Sequence, residues 1–335
     1  MSTIVLTPSS PPFKRGRTGI MGRKIASILI VGLIFSLGNG CGSSSKIDPN
    51  APSLLDCTGP NGATVAMVKK SQQEWADYLG VPVETSVDLG GGLKMPLVLI
   101  PPGKFMMGAP SSEKDSGGDE RPVHEVTITK AFYLGKYEVT QEEYTTLTGL
   151  VNPSSFKNEP NAKRHPVENV SWDEAKSYCE KLSKQKLPKG FTRASLPTEA
   201  QWEYACRAGT RTAYHFGDVL NGKEANCDGN SPYGTTTKGP YLEKTTPVGN
   251  YQANALGLHD MHGNVWEWCL DGYNKNAYKS GGIKDPFAEH YDNNRCVRGG
   301  SWTDYSETCR AAYRSRCYAD FRNYICGFRV AVSLD

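Results

Sequence analysis

The sequence predicts an α+β protein of few short helices and short strands joined by many loops. Glycine (35) and proline (21) are abundant in the 335-residue chain, and tyrosine (17) and tryptophan (6) add aromatic bulk. This composition indicates many turns and a loop-rich fold rather than long helices. Three helix-start signatures and several runs of alternating apolar residues mark the regular elements between the loops.

An apolar run near the amino terminus, residues 25–37, predicts export. Its length is typical of a signal peptide and too short for a bilayer span. A small residue precedes Cys41 and a serine-rich stretch follows it, as in bacterial lipoprotein signals, although Leu37 stands four residues before Cys41 instead of the usual three. We therefore predict a cell-envelope protein anchored to a bacterial membrane by a lipid on Cys41. Ordinary secretory cleavage is the alternative, and Met21 is an alternative start.

The composition along the chain predicts three parts. Residues 1–41 are the signal segment, residues 42–92 a tether and N-terminal extension, and residues 93–335 one dense domain. The tether, residues 42–60, is rich in Ser, Pro, Gly and Asn. A short helix is expected in the extension around Gln72–Leu79.

Charge and cysteine content restrict the classes of function. The net charge of +3 is too weak for nucleic-acid binding, and no basic stripe with interleaved aromatic residues occurs. Lipidation of Cys41 would leave nine of the ten cysteines, so at least one is unpaired or bonds another chain. Export favours disulfides for most of them, and the absence of a CxxC pair argues against a zinc ribbon.

The first elements of the dense domain are strands. The run Met95–Ile100 predicts a buried strand with a proline–glycine turn after it. Val126 and Ile128, and then Phe132 and Leu134, alternate with polar residues. This alternation predicts strands with one buried face.

Three short helices are predicted from capping boxes. They begin after Thr140, Ser171 and Thr198, each of which is followed three residues later by Glu or Gln. The second and third helices carry Cys179 and Cys206 at inward-facing apolar positions. Beyond the third helix the sequence predicts loops and short strands.

Seven phrases follow one another between Leu93 and the carboxyl terminus. They are Phe105-Met106-Met107-Gly108, Gly135-Lys136-Tyr137-Glu138-Val139-Thr140, Pro166-Val167-Glu168-Asn169-Val170-Ser171-Trp172, Leu196-Pro197-Thr198-Glu199-Ala200-Gln201-Trp202-Glu203-Tyr204, Gly263-Asn264-Val265-Trp266-Glu267-Trp268, Arg298-Gly299-Gly300-Ser301-Trp302 and Gly327-Phe328-Arg329-Val330. In this order they resemble the formylglycine-generating, or sulfatase-modifying factor, domain family. The resemblance implies a C-type-lectin-like fold, which hosts both enzymes and binding modules and so does not fix the function.

The resemblance implies a calcium site at Asp260, Gly263, Val265 and Glu267. Two carboxylates and two backbone carbonyls within eight residues suit a hard cation that prefers oxygen ligands. The alternative is a structural segment in which Glu267 accepts a hydrogen bond from a nearby amide.

A second family calcium site would fall on Asn226, the carbonyl of Cys227 and positions near Pro240 and Leu242. The carboxylate expected near Pro240 is absent, which argues against this site.

His259 and His262 flank the first calcium position and raise the question of a transition metal. Their spacing does not match a zinc-binding helix, so we predict surface or hydrogen-bonded histidines.

The catalytic positions of the family fall on Asp304 and Cys309. Active members use two cysteines, five residues apart, to bind copper(I), activate oxygen and oxidise a sulfatase cysteine to formylglycine. Copper(I) prefers thiolates, and a carboxylate is a hard ligand. The resemblance therefore implies neither copper nor the oxidase here. In the structural reading, Arg310 and Arg314 brace the core and Cys309 is buried and inert, or a disulfide partner.

The resemblance also bears on the disulfides. Cys179 and Cys206 match family cysteines whose partner positions near the carboxyl terminus hold other residues here. Cys317 and Cys326 lie a few residues from those positions. The implied pairs are Cys206–Cys317 and Cys179–Cys326.

Two functions remain open. The first is a surface-anchored binding or structural module. Its loops, 271–295 and 303–324, display a surface for an unidentified protein or glycan ligand. The alternative is a formylglycine-generating oxidoreductase. The aromatic residues of these loops are Tyr273, Tyr278, Tyr291, Tyr305, Tyr318, Phe321 and Tyr324.

Overall fold

The computed structural model describes residues 48–334 of the chain. The α-helices in this part, α1 to α4, are Val65–Leu79, Gln141–Thr148, Trp172–Leu182 and Glu199–Arg207. The strands, β1 to β13, are Leu55–Cys57, Glu84–Gly90, Leu93–Ile100, Gly103–Met107, His124–Ile128, Phe132–Gly135, Phe191–Ser195, Trp266–Gly272, Ile283–Lys284, Asn294–Arg298, Ser315–Tyr318, Cys326–Gly327 and Ala331–Leu334. These short elements confirm the predicted α+β class. The signal segment and Cys41 lie outside the described residues.

All three predicted capping boxes are present, at the starts of α2, α3 and α4. The side chains of Thr140, Ser171 and Thr198 each accept a hydrogen bond from the backbone amide three residues on, and the Glu or Gln there accepts one from the cap amide. The reciprocal bonds satisfy backbone donors that a helix otherwise leaves unpaired at its start. These three helix starts were therefore readable from the sequence alone.

Helix α1 is longer than predicted. It begins after Thr64, whose hydroxyl caps the helix, and it ends at Gly80 in the left-handed conformation. Its buried face carries the polar residues Ser71 and Gln72 between Val68 and Trp75, so the apolar period in the sequence is interrupted.

The segment predicted as a tether also contains a strand. Strand β1 pairs in parallel with β4, and its Leu55 and Cys57 are buried. Residues from Ala51 onward form one compact unit.

The strands form three sheets. Their orders are β1-β4-β5-β9, β11-β10-β8-β12 and β2-β3-β6-β13-β7. The carboxyl-terminal strand β13 lies between β6 and β7, with Ala331 opposite Leu134 and Ser195. This insertion brings the preceding residue Arg329 into the interior, beside the start of β8, where it is bonded to Glu267.

Two large clusters of buried apolar side chains make up most of the core. One contains Trp172 and Trp268, and the other contains Trp202 and Tyr204. Each of these three indoles donates to a protein acceptor, as buried indoles require. None of the helices within residues 48–334 is long and apolar enough to span a bilayer.

Candidate functional site

The four predicted calcium residues lie in a tight loop and at the start of β8. Asp260, Gly263 and Asn264 have φ angles of 57°, 74° and 64°. A Cβ atom on Gly263 would come within 2.2 Å of the Asn226 carbonyl oxygen, so the backbone requires glycine there. The Gly263 amide donates to the carbonyl of Gly299 at 2.8 Å. The loop is thus held between two distant segments of the chain.

Glu267 is buried and bonded to an arginine and an indole. Its carboxylate accepts from Arg329 Nη2 at 2.8 Å and from Arg329 Nε at 3.1 Å. Trp202 Nε1 donates to the same carboxylate at 2.8 Å. Arg329 also donates to the carbonyls of Gly135 and His259, at 2.9 and 2.8 Å. Glu267 therefore takes part in a fully formed buried ion pair.

Two further buried carboxylates, Glu138 and Asp260, belong to the same cluster. Glu138 accepts from the Asn264 side-chain amide at 2.6 Å and from the Val265 backbone amide at 3.1 Å. Asp260 Oδ2 accepts from the Gly249 amide at 2.6 Å, whereas its Oδ1 is buried and has no hydrogen-bond partner. Glu138 lies in the bend after β6, more than a hundred residues before Asp260, so its place in the cluster depends on tertiary packing and not on local spacing.

The three carboxylates disfavour one another's charge. Burial, followed by repulsion from Asp260 and Glu267, raises the pKa of Glu138 well above its ordinary value. Burial raises the pKa of Asp260 to about 6. Arg329 supplies one positive charge to this cluster, so a bound cation would favour the ionised carboxylates.

One oxygen atom of this cluster makes these residues suitable for calcium. Asp260 Oδ1 is an acidic oxygen that is buried and unpartnered, and calcium prefers oxygen ligands. Glu267 has fewer free lone pairs, since Arg329 and Trp202 already bind it. Within residues 48–334 no group of three or more His, Cys, Asp or Glu side chains is arranged to hold a metal ion, so backbone carbonyls would have to complete the site.

The second calcium position shows a weaker arrangement. Asn226 donates to the carbonyl of Lys244 at 2.9 Å and to Asn264 Oδ1 at 3.1 Å. Its own Oδ1 is buried without a partner. The sequence near this position supplies Pro240 and the half-exposed Leu242 instead of a carboxylate.

Asp304, at the first catalytic position, is held by local hydrogen bonds. Its carboxylate accepts from Trp266 Nε1 at 2.8 Å and from the Ser301 hydroxyl. Burial raises its pKa. A carboxylate bound by an indole and a hydroxyl stabilises this turn and is not a free ligand.

Cys309, at the second catalytic position, ends a short 3₁₀ helix and is fully buried. A Cβ atom on Gly300, whose φ is 74°, would come within 2.5 Å of its sulfur. His262 Nδ1 lies 2.7 Å from the Cys309 carbonyl oxygen. The thiol therefore sits in a closely packed site.

The structure places a second thiol against Cys309, and it comes from Cys227. Both side chains lie in one small buried cluster, where each thiol shifts the pKa of the other, lowering that of Cys227 and raising that of Cys309. Asp228 forms a parallel bridge with Tyr305, and the Asp228 amide donates to the Asp304 carbonyl at 2.9 Å. These bonds align the two segments. No local pattern in the sequence could have revealed this contact, because the residues lie 82 positions apart.

The histidines are hydrogen-bonded, as predicted. His259 Nδ1 lies 2.8 Å from the Tyr251 carbonyl oxygen. His262 is buried, stacks on His215 with ring centroids 5.3 Å apart, and lies 3.6 Å from the Cys206 sulfur. Burial lowers the pKa of His215 to about 4. These contacts are structural.

The arginines that follow Cys309 brace the core, as predicted. Arg310 donates to both carboxylate oxygens of Glu120 at 2.8 Å. Arg314 donates to Glu199 at 2.7 Å and to the carbonyl of Asp119 at 2.9 Å. Both guanidinium groups are buried.

The aromatic residues of the two carboxyl-terminal loops divide into two groups. Tyr278 is buried, and the Tyr273 hydroxyl donates to the Asp119 carboxylate. Trp302 packs against Tyr324 with ring centroids 5.8 Å apart. The exposed members are Tyr291, Tyr305, Tyr318 and Tyr324.

The cysteines implied as disulfide partners lie in different surroundings. The neighbouring Cys317 thiol raises the pKa of Cys326, whereas the Cys206 sulfur lies against the Met261 carbonyl and His262. The implied pairs Cys206–Cys317 and Cys179–Cys326 do not match these contacts, and no disulfide is formed within residues 48–334. Both pairs stay predictions.

Residues 94–334 match the family model described as "Sulfatase-modifying factor enzyme 1-like domain". The chain is 36% identical over 179 residues to the formylglycine-generating enzyme of Streptomyces coelicolor, covering 51% of this chain and 54% of that one. It is 30% identical over 276 residues to the chaperone protein LppX of Paenibacillus barcinonensis, covering 71% and 89%. Three longer chlamydial relatives are named as serine/threonine-protein kinases, and the chain spans 37–38% of their length.

Among solved structures, the chain is similar to PvdO from Pseudomonas aeruginosa. The identity is 30%, the TM-score is 0.61, and the match covers 75% of this chain and 98% of that one. This likeness confirms the C-type-lectin-like fold of the sulfatase-modifying factor type that the sequence phrases implied.

Proposed function

The chain belongs to the family of sulfatase-modifying factor enzyme 1-like domains, and from that premise we propose that it is an exported binding module without copper oxidase activity. A lipid on Cys41 would hold it at a bacterial membrane. The carboxyl-terminal loops would present a surface to a protein or glycan ligand. The relative named as a chaperone, of which the chain covers 89%, supports a role in binding.

The proposal rests on one observation: the Asp304 side chain, at the first catalytic position, is already hydrogen-bonded within the protein. The Asp304 carboxylate accepts from Trp266 and from Ser301. A hard carboxylate is a poor ligand for copper(I), and releasing this one would leave a buried indole N–H without an acceptor. The family's pair of thiolates cannot form from Asp304 and Cys309.

The exposed tyrosines support the binding surface. Tyr291, Tyr305, Tyr318 and Tyr324 are 80%, 53%, 44% and 46% exposed. Tyr324 lies against Trp302, which is buried and fixes one edge of the surface. Tyrosines on a rigid scaffold give large contact area at low entropic cost.

A second candidate is a formylglycine-generating oxidoreductase that uses a different pair of thiols. It is favoured by the contact between Cys227 and Cys309. Two thiolates at that position would be soft ligands of the kind that copper(I) prefers.

An activity assay separates the two candidates. The purified chain is incubated with copper, oxygen and a peptide carrying the Cys-x-Pro-x-Arg motif, and formylglycine is measured by mass spectrometry. We expect no more product than with the Cys309→Ser variant. Formylglycine that is lost in both Cys309→Ser and Cys227→Ser would establish the oxidase and overturn the non-enzymatic proposal.

Lipid anchoring has its own test. The chain expressed in a bacterial host should fractionate with membranes, and Cys41→Ala should release it to the soluble exported fraction. Release of the unsubstituted chain to that fraction would favour ordinary secretory cleavage instead.

We also propose that Asp260, Gly263, Val265 and Glu267 bind calcium as a structural ion. The unpartnered Oδ1 of Asp260 and the excess of buried negative charge support this site. Calcium would tie the loop before β8 to the start of that strand, and so stabilise a region with little regular structure.

A further inference from the structure

We propose that three pairs of cysteines, Cys227 with Cys309, Cys269 with Cys296 and Cys317 with Cys326, form disulfides that cross-link the carboxyl-terminal part of the domain. Both cysteines of each pair are buried in one apolar cluster, and the neighbouring thiol shifts the pKa of Cys227, Cys269 and Cys326. The pairs differ from those that the family resemblance implies. They also concern scaffold stability, which is separate from the proposed binding function.

The first pair joins two loops that backbone bonds already align. Cys227 lies one residue before the parallel bridge between Asp228 and Tyr305. Its sulfur is 3.5 Å from the Ser306 hydroxyl, in the first turn of the 3₁₀ helix that Cys309 ends. Both cysteines are at most 1% exposed and lie in the same small apolar cluster.

The second pair joins neighbouring strands at an irregularity. Arg295 on β10 faces Gly272 on β8, and Val297 faces Trp268. The single residue Cys296 therefore opposes the stretch 269–271, which includes Cys269. Both thiols are fully buried in one core cluster. A bulge of this kind can place two side chains on one face closer than regular pairing allows.

The third pair closes the loop between β11 and β12. Cys317 belongs to β11 and Cys326 to β12, and both lie in one core cluster. The chain between them turns through two backbone bonds, from Phe321 to Tyr318 at 2.9 Å and from Cys326 to Asn323 at 3.0 Å. The resulting loop is short and already folded back on itself.

The chemistry of each cross-link is thiol–disulfide exchange. Two thiols lose two protons and two electrons to a low-molecular-weight or protein disulfide, which is reduced to two thiols. The thiolate is the attacking species. The neighbouring Cys309 thiol lowers the pKa of Cys227, so Cys227 is the more readily ionised thiol of the first pair. Because the pairs are buried in the folded domain, exchange takes place as the chain folds.

The remaining described cysteines are Cys57, Cys179 and Cys206. Each is buried, and burial raises the pKa of each thiol. The Cys206 sulfur contacts the Met261 carbonyl and the His262 ring. Cys57, Cys179 and Cys206 are therefore the free thiols among residues 48–334.

Peptide mapping tests the inference. The purified full chain, refolded with oxidised and reduced glutathione, is unfolded in N-ethylmaleimide without reductant, digested and analysed by mass spectrometry. We expect cross-linked peptides for all three pairs, and labelled thiols at Cys57, Cys179 and Cys206. Label on both members of any proposed pair would overturn that cross-link. Peptides joining Cys206 to Cys317 or Cys179 to Cys326 would overturn the assignment in favour of the family pattern.

Two single variants make the test independent of peptide recovery. Cys296→Ser should release Cys269, so the number of labelled thiols between residues 48 and 334 rises from three to four. Cys179→Ser, the matched control, should lower it from three to two. If the number of labelled thiols falls in Cys296→Ser as it does in Cys179→Ser, Cys296 is not cross-linked. Circular dichroism before labelling establishes that each variant is folded.

Discussion

The thiol of Cys227 lies against the thiol of Cys309, and both are buried. The contact depends on Asp304, whose backbone carbonyl accepts from the Asp228 amide next to Cys227. Asp304 thus occupies the position of a catalytic cysteine and at the same time helps to align a different cysteine with Cys309.

Asp304→Ala should destabilise the domain by about 1–3 kcal/mol, because it leaves Trp266 Nε1 and the Ser301 hydroxyl without their buried acceptor. Urea unfolding followed by tryptophan fluorescence measures the change. Asp304→Asn retains one acceptor oxygen and should cost less. Equal stability of the alanine variant and the unsubstituted chain would remove the structural role assigned to Asp304.

Calcium should raise the melting temperature. At a hundredfold excess over the dissociation constant, one site that binds the folded chain contributes about 2.7 kcal/mol. Asp260→Asn should greatly reduce this rise in melting temperature, measured by calorimetry. The substitution removes the negative charge of the carboxylate that carries the unpartnered Oδ1. Asp292→Asn, a charge change at an exposed residue, is the control and should keep the full shift. A calcium shift that is unchanged in Asp260→Asn would place the ion elsewhere.

The calcium effect should depend on pH. The pKa of Asp260 is raised to about 6 from 3.8, so without calcium this group contributes stability that is present below about pH 4 and lost as the pH rises through 6. Calcium requires the ionised carboxylate, so its stabilising effect should grow over the same range. Melting curves at pH 4.5, 5.5 and 6.5 test this trend. A constant or shrinking calcium shift would contradict the assignment to Asp260.

Glu267→Ala should cost about 3–5 kcal/mol in unfolding free energy, since it leaves the buried Arg329 guanidinium without its carboxylate. Glu74→Ala, which breaks an exposed pair with Lys70, is the matched control and should change stability by no more than about 1 kcal/mol. Chemical unfolding in EDTA separates this loss from any loss of calcium binding. A change in Glu267→Ala as small as in the control would mean that Arg329 finds another partner.

Local chemistry explains why much of the fold was readable. The hydroxyls of Thr140, Ser171 and Thr198 satisfy amides three residues away, so the helix starts depend on sequence neighbours alone. The buried run Met95–Ile100 likewise lies within an observed strand. Helix α1 was predicted too short because its buried face carries the polar residues Ser71 and Gln72, which interrupt the apolar period.

The α+β class, the capped helices and, through seven ordered phrases, the family can be predicted from the residues alone. Which side chains meet depends on the packing of the folded chain. Glu138 joins Asp260 and Glu267 because their elements come together in the core, and Cys227 meets Cys309 because a bridge aligns two distant loops. Such contacts depend on the packing of elements far apart in the chain, and no local period or spacing encodes them.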